Sequence, residues 1–171
     1  MRKFFLLALC VIFCMSFVGC LGEDGPKKDT VTTESTEEKN ENVFGLNESA
    51  VFNTLKFTAL EIKESSGTTF YSPESGNIFV GVKFEVENVS NEEQTISTLM
   101  MFEGYADNVK CEYSFTATCA FSEGTLDGTI APGKKLIGWY ALEVPQNWQE
   151  LELDVKANWL SNNVANFIFE K

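Results

Sequence analysis

From Asn77 to Asn88 the chain alternates without a break. Ile78, Val80, Val82, Phe84 and Val86 take one parity, and Phe79, Gly81, Lys83, Glu85 and Glu87 take the other. A two-residue period puts these sets on opposite faces of an extended strand, one apolar and one mostly polar. A lone strand leaves its backbone groups unpaired, so the rest of the chain must supply a sheet. The half-polar pattern calls for antiparallel pairing, with one sheet face in the core and the other in water. Leu151, Leu153, Val155, Ala157 and Trp159 repeat the pattern against Glu152, Asp154, Lys156 and Asn158.

Further strands are expected at 55–62, 95–102, 136–144 and 164–169. In the first of these, Leu55, Phe57 and Ala59 share a parity that then switches to Leu60 and Ile62, which predicts a bulge or a change of sheet. Turn signals separate the segments: Ser75-Gly76, 88–93, Asp127-Gly128, Pro132-Gly133 and 161–163. No helical period of useful length is present, and Pro145 to Glu150 is expected to make one short helical turn. The class that fits is all-β, an antiparallel β-sandwich of the immunoglobulin-like kind with about seven to nine strands.

The 171 residues hold one such domain once the N-terminal stretch is set aside. Arg2 and Lys3 precede an apolar run from Phe4 to Met15, and Val18-Gly19-Cys20 follows. A charged start and a short apolar run are the marks of an export leader, and the run is shorter than a bilayer span requires. From Gly22 to Asn42 the only apolar residue is Val31, with seven acids against three bases. Such a segment buries too little surface to offset its ordering entropy and reads as a flexible acidic stalk. The expected organisation is a leader over 1–19, Cys20 and a linker over 20–49, and the sandwich over 50–171.

Small residues ahead of a cysteine resemble the lipobox of prokaryotic lipoproteins, with Phe17 where the pattern has Leu. That resemblance implies diacylation of Cys20, leader removal, and an anchor holding the chain to the outer face of the cell membrane. Two acyl chains suffice for stable attachment at about 0.8 kcal/mol per buried CH₂. A second resemblance spans roughly 51–169. The run NIFVGVKFEVENVSNEEQTIS followed by TIAPGKKLIGWYALEVP is similar to the Ig-like extracellular lipoprotein domains of a "domain of unknown function" family related to mycobacterial immunoprotective secreted antigens. The shared features are the valine-rich strand ending at Asn88, the Pro132-Gly133 turn, the aromatic strand from Leu136 to Leu142 and the Val144-Pro145 exit. They imply an Ig-like sandwich and carry over no catalytic residue.

The chain has no histidine and a net charge of −12. It therefore lacks the usual proton carrier near neutral pH and the commonest metal ligand. An acidic chain is also a poor fit to phosphate backbones, so nucleic acid is not an expected partner. No nucleophile elbow, phosphate loop or zinc-protease motif occurs, and no cofactor is expected. Cys111 and Cys119 are the cysteines left in the exported domain after Cys20, and an oxidising compartment makes a disulfide between them the expectation. Glu103, Asp107 and Glu112 are close enough in sequence to raise calcium binding, without the spacing of a calcium loop. Asn47 and Asn88 begin Asn-x-Ser acceptor triplets.

Trp148, in the loop after Pro145, and Tyr113 and Phe115 between the two cysteines are the candidate contact aromatics, because exposed aromatics are the usual anchors of interfaces. Trp148 has the competing reading of a plug at the end of the sandwich. The expected function is a non-enzymatic envelope module that binds an extracellular or envelope protein. The alternative is a carbohydrate- or small-ligand-binding, calcium-dependent or hydrolytic domain.

Overall fold

The computed structural model describes residues 27–28, 42–121, 124–158, 160 and 162–171. Cys20, the leader and most of the expected stalk lie outside them, as does Trp159. Among the described residues, twelve strands and two short helices follow in order: β1 Lys27–Lys28, β2 Val43–Phe44, β3 Ser49–Val51, β4 Leu55–Ser65, β5 Asn77–Asn88, β6 Gln94–Ile96, α1 Thr98–Met101, β7 Phe102–Ala106, β8 Val109–Cys111, α2 Phe115–Cys119, β9 Gly128–Ile130, β10 Lys135–Pro145, β11 Glu150–Val155 and β12 Ala165–Glu170. No helix among the described residues is long and apolar enough to cross a membrane.

The strands form two five-stranded sheets, β1-β3-β4-β5-β10 and β2-β12-β11-β7-β8, and a two-stranded ribbon β6-β9. All pairings are antiparallel except that of β2 with β12. The fold is the expected antiparallel β-sandwich. The folded body begins earlier than residue 50, because Phe44 is buried against Phe167 with ring centroids 5.3 Å apart. The register of β4 on β5 slips between Ala59 and Glu61, where the sequence parity switches.

The core between the sheets is aromatic. Phe84 of the first sheet meets Phe167 and Phe102 of the second edge to face, at 5.1 and 5.4 Å. Phe57 meets Phe102 at 5.9 Å. These are the favoured quadrupole arrangements for rings, and each buried ring contributes about 1.5–3 kcal/mol through the area it removes from water. Gly104 keeps this layer tight, since a Cβ there would collide with the Leu142 side chain.

Three local expectations fail. The alternation expected to run from Leu151 to Trp159 ends as a strand at Val155, and Ala157 and Asn158 lie in a bend. The strand expected over 95–102 is cut by α1, because the Asp127 carboxylate accepts from the Thr98 amide at 2.8 Å and from the Thr98 hydroxyl, capping a first helical turn from far along the chain. The helical turn expected at Pro145 is instead a reverse turn, in which the Trp148 amide donates to the Pro145 carbonyl at 3.1 Å.

Candidate functional site

Strand β10 is the edge of the first sheet, and a long edge left bare would invite pairing with other chains. The chain covers it with a strap that leaves β8 and wraps the strand. Tyr113 bridges Leu142 at one point and Thr125 bridges Trp139 at another, where the Trp139 amide donates to the Gly124 carbonyl. Between these points α2 packs over β10 and β5. The Ser114 hydroxyl caps it by accepting from the Ala117 amide at 3.1 Å.

Beneath the strap lies a second, smaller core on the outer face of the first sheet: Phe79, Ala117, Phe121, Trp139 and Ala141, with Tyr71 and Ala120 packed against it. Phe121 stacks on Trp139 at 4.8 Å. Two glycines make the room. A Cβ on Gly81 would meet the Phe121 ring at 2.8 Å, and one on Gly138 would meet the Thr125 backbone at 2.6 Å. This face, which the alternation assigns to water, is dry at this end. The Lys83 ammonium stands 5.8 Å from the Trp139 ring, and the buried Trp139 indole N–H has no hydrogen-bond partner. Tyr140, one residue on, points the opposite way and stacks on Phe102 at 4.9 Å, and its burial drives the phenol far above its ordinary range.

Phe115 stands on the outer side of α2, 62% exposed. Phe70 is 87% exposed beside Tyr71, whose ring joins the small core. Tyr113 is half-buried against the main core and stacks on Tyr140 at 6.3 Å. Of the three candidate aromatics, then, Phe115 alone is openly displayed.

Trp148 follows its competing reading, a buried plug at the end of the sandwich rather than an exposed aromatic. It is 2% exposed, its indole N–H donates to Glu64 at 2.8 Å, and the Lys171 ammonium lies 5.2 Å over its ring while also pairing with Glu64 at 2.8 Å. The turn at Pro145 rolls the ring inward and the last residue of the chain closes over it. The hydrogen bond from Lys171 holds the Glu64 carboxyl below its ordinary range, against an opposing effect of burial and with a smaller contribution from the Trp148 bond.

Cys111 and Cys119 are free thiols and not the expected disulfide. The reason is the strap: Cys111 packs against the main core from β8, whereas Cys119 ends α2 on the far side of β10. Burial pushes the Cys111 thiol up, away from reactive thiolate.

Of the three carboxylates considered for calcium, Glu103 and Asp107 are engaged elsewhere. Glu103 accepts from Lys110 and from the Tyr105 hydroxyl, both at 3.2 Å, and pairs with Lys156 at 3.7 Å. Asp107 accepts the Gln149 and Glu150 amides at 2.9 and 3.0 Å. No group of three potential metal-ligating side chains is assembled among the described residues. Asn88 is 0% exposed with its amide fully bonded, so of the two acceptor triplets only Asn47 is open to solvent.

On the outer face of the second sheet, Asn166 donates to Glu152 at 3.1 Å and to Asp154 at 2.6 Å. Burial, and then the neighbouring Asp154 charge, raise the Glu152 carboxyl. A raised folded value means that the native state keeps a proton the unfolded chain has released, so stability falls as pH rises through that interval. Glu152→Gln is therefore expected to stabilise the domain at pH 7, with the gain vanishing once pH falls below the ordinary carboxylate range, as read from paired urea titrations. A loss of stability at pH 7 would contradict this.

A family model described as a domain of unknown function, DUF4352, matches residues 44–165. The chain belongs to that family. The DUF4352 match starts on β2 and ends at the first residue of β12, so it takes in the strap and both sheets apart from β1 and most of β12. Three solved structures share the fold. A candidate lipoprotein of Bacillus subtilis, ycdA, aligns at TM-score 0.60 and 14% identity over 71% of this chain and 38% of its own. An uncharacterised β-sandwich protein of Clostridium difficile aligns at 0.51 and 16% identity, over 81% of this chain and 99% of its own. A conserved hypothetical protein of Bacillus anthracis aligns at 0.53 and 12% identity, over 84% and 99%. No curated protein matches the chain in sequence. These likenesses support the sandwich and the unknown-function family; the kinship with mycobacterial antigens is not among them.

Proposed function

We propose that the chain is a lipoprotein anchored through Cys20 to the outer face of the cell membrane, and that its DUF4352 sandwich binds an extracellular or envelope protein through the strap, without chemical turnover. The observation that carries this is Phe115. A large aromatic held in water on a helix whose other side is locked into a small core is exposed at no gain to the fold, and rigidly mounted aromatics are effective interface anchors. The anchor rests on the leader and Val18-Gly19-Cys20, with the Bacillus subtilis candidate lipoprotein as a fold relative. The absence of turnover rests on a histidine-free sequence and on carboxylates committed to backbone amides and lysines.

Metabolic labelling with a fatty-acid analogue tests the anchor. Wild type takes up label and partitions with membranes, and Cys20→Ser loses both; equal labelling and partition of the two would remove the anchor from the reading. One observation favours the alternative. Glu152, with its raised carboxyl, stands beside Asp154, and unequal carboxylate pairs serve glycoside hydrolysis. Hydrolysis of an envelope glycan by the purified protein, abolished in Glu152→Gln, would establish it.

A further inference from the structure

The expected stalk does not run free from Cys20 to the folded body. At Lys27–Lys28 the backbone pairs antiparallel with β3, Lys27 opposite Val51 and Lys28 opposite Ala50. This makes β1 the edge strand of the first sheet opposite β10. The seven peptide units from Cys20 to Lys27 extend to at most about 25 Å, whereas the twenty-three to Val43 would reach about 80 Å. Docking of β1 therefore shortens the leash to under a third and fixes where it enters the domain.

The entry point is a corner. Lys27 lies in one register row with Val51, Lys56, Glu87 and Lys135, the first residue of β10. The strap begins at the other corner, for Tyr113 bridges Leu142, seven residues further along β10. Four strand spacings across the sheet are about 19 Å and seven residues along a strand about 23 Å, which sets the two corners about 30 Å apart on the diagonal.

We infer that pairing of β1 with β3 orients the anchored domain, holding the Lys27 corner toward the bilayer and presenting α2 with Phe115 at the membrane-distal corner. The inference rests on the lipid anchor proposed above. It assigns the short strand a job that the stalk's length alone does not perform: a free tether of two dozen residues lets the domain tumble and turn any face to the lipid, whereas a short leash at one corner does not.

The full lipidated chain in zwitterionic vesicles containing an energy-transfer acceptor on the lipid headgroups tests this. A fluorescent amino acid is encoded at Asn91, in the turn after β5 at the Lys27 end, or at Thr116 on α2; both positions are exposed. Transfer is expected to be several-fold stronger from Asn91 than from Thr116. The double substitution Lys27→Pro/Lys28→Pro, which removes the donors of β1 while leaving the sandwich core untouched, should bring the two positions to similar efficiencies. Equal transfer from both positions in the wild type overturns the orientation, as does a difference that survives the proline variant. Cys20→Ser is run alongside: if it still floats with the vesicles the anchor itself is wrong, and the orientation falls with it for that separate reason.

Discussion

Trp148→Ala destabilises the domain by about 3–5 kcal/mol, the range for deleting a buried indole. The melting temperature is expected to drop by about 10–20 °C. The ring is 2% exposed among the core residues at one end of the sandwich, and its loss also removes the hydrogen bond to Glu64 and the surface on which the Lys171 ammonium rests. Trp148→Phe keeps most of the volume and loses the N–H, leaving Glu64 its lysine partner, so it is expected to cost only about 1–2 kcal/mol. Urea titration of both variants distinguishes core from contact residue. An unchanged midpoint for Trp148→Ala would return the indole to the surface.

Asn88→Asp is expected to be as severe at neutral pH, about 3–5 kcal/mol, although it changes a single atom. The Asn88 amide donates to the Glu92 carbonyl at 2.7 Å and the Ile130 carbonyl at 2.8 Å, while its oxygen accepts from the amide and hydroxyl of Ser90 at 2.9 and 2.8 Å. That one side chain ties the turn after β5 to the end of β9. An aspartate would turn a buried negative oxygen on two carbonyls with no donor between them, a penalty far larger than that of a lost neutral bond. Protonation replaces one missing donor, so the deficit relative to wild type at the same pH should shrink as pH falls from neutral toward about 4, the value of the unfolded carboxyl. A variant as stable as wild type at pH 7, or a deficit independent of pH, would show that the amide is dispensable.

Legibility in the sequence followed the range of the interactions. The parity of β5 and the switch at Leu60 are local, and β5 and the β4 bulge came out as the pattern implies, while β11 keeps its parity only as far as Val155. The outer face of β5 reads as polar in the sequence because Lys83, Glu85 and Glu87 dominate its pattern, yet Phe79 and Gly81 share that parity and both are buried. A phenylalanine and a glycine on the solvent side, opposite Glu143 and Ala141 of an aromatic strand, were the available sign of a covering segment. For Trp148 the sequence leaves contact and plug both open, because a loop position suggests exposure, and its burial as the plug is decided by Glu64 from β4 and Lys171, partners remote in the chain. The cap of α1 by Asp127 and the separation of the two cysteines by the strap depend likewise on contacts that no local pattern encodes.

Contact through the strap is tested most directly by photo-crosslinking in the living envelope. A benzophenone-bearing phenylalanine analogue replaces Phe115, preserving an exposed aromatic on α2, and the same residue replaces Glu150 at the start of β11 on the other sheet. Illumination is expected to yield a discrete protein adduct from position 115 and none from position 150, identifiable by mass spectrometry. No adduct from position 115, or the same adducts from both positions, would contradict recognition through this face.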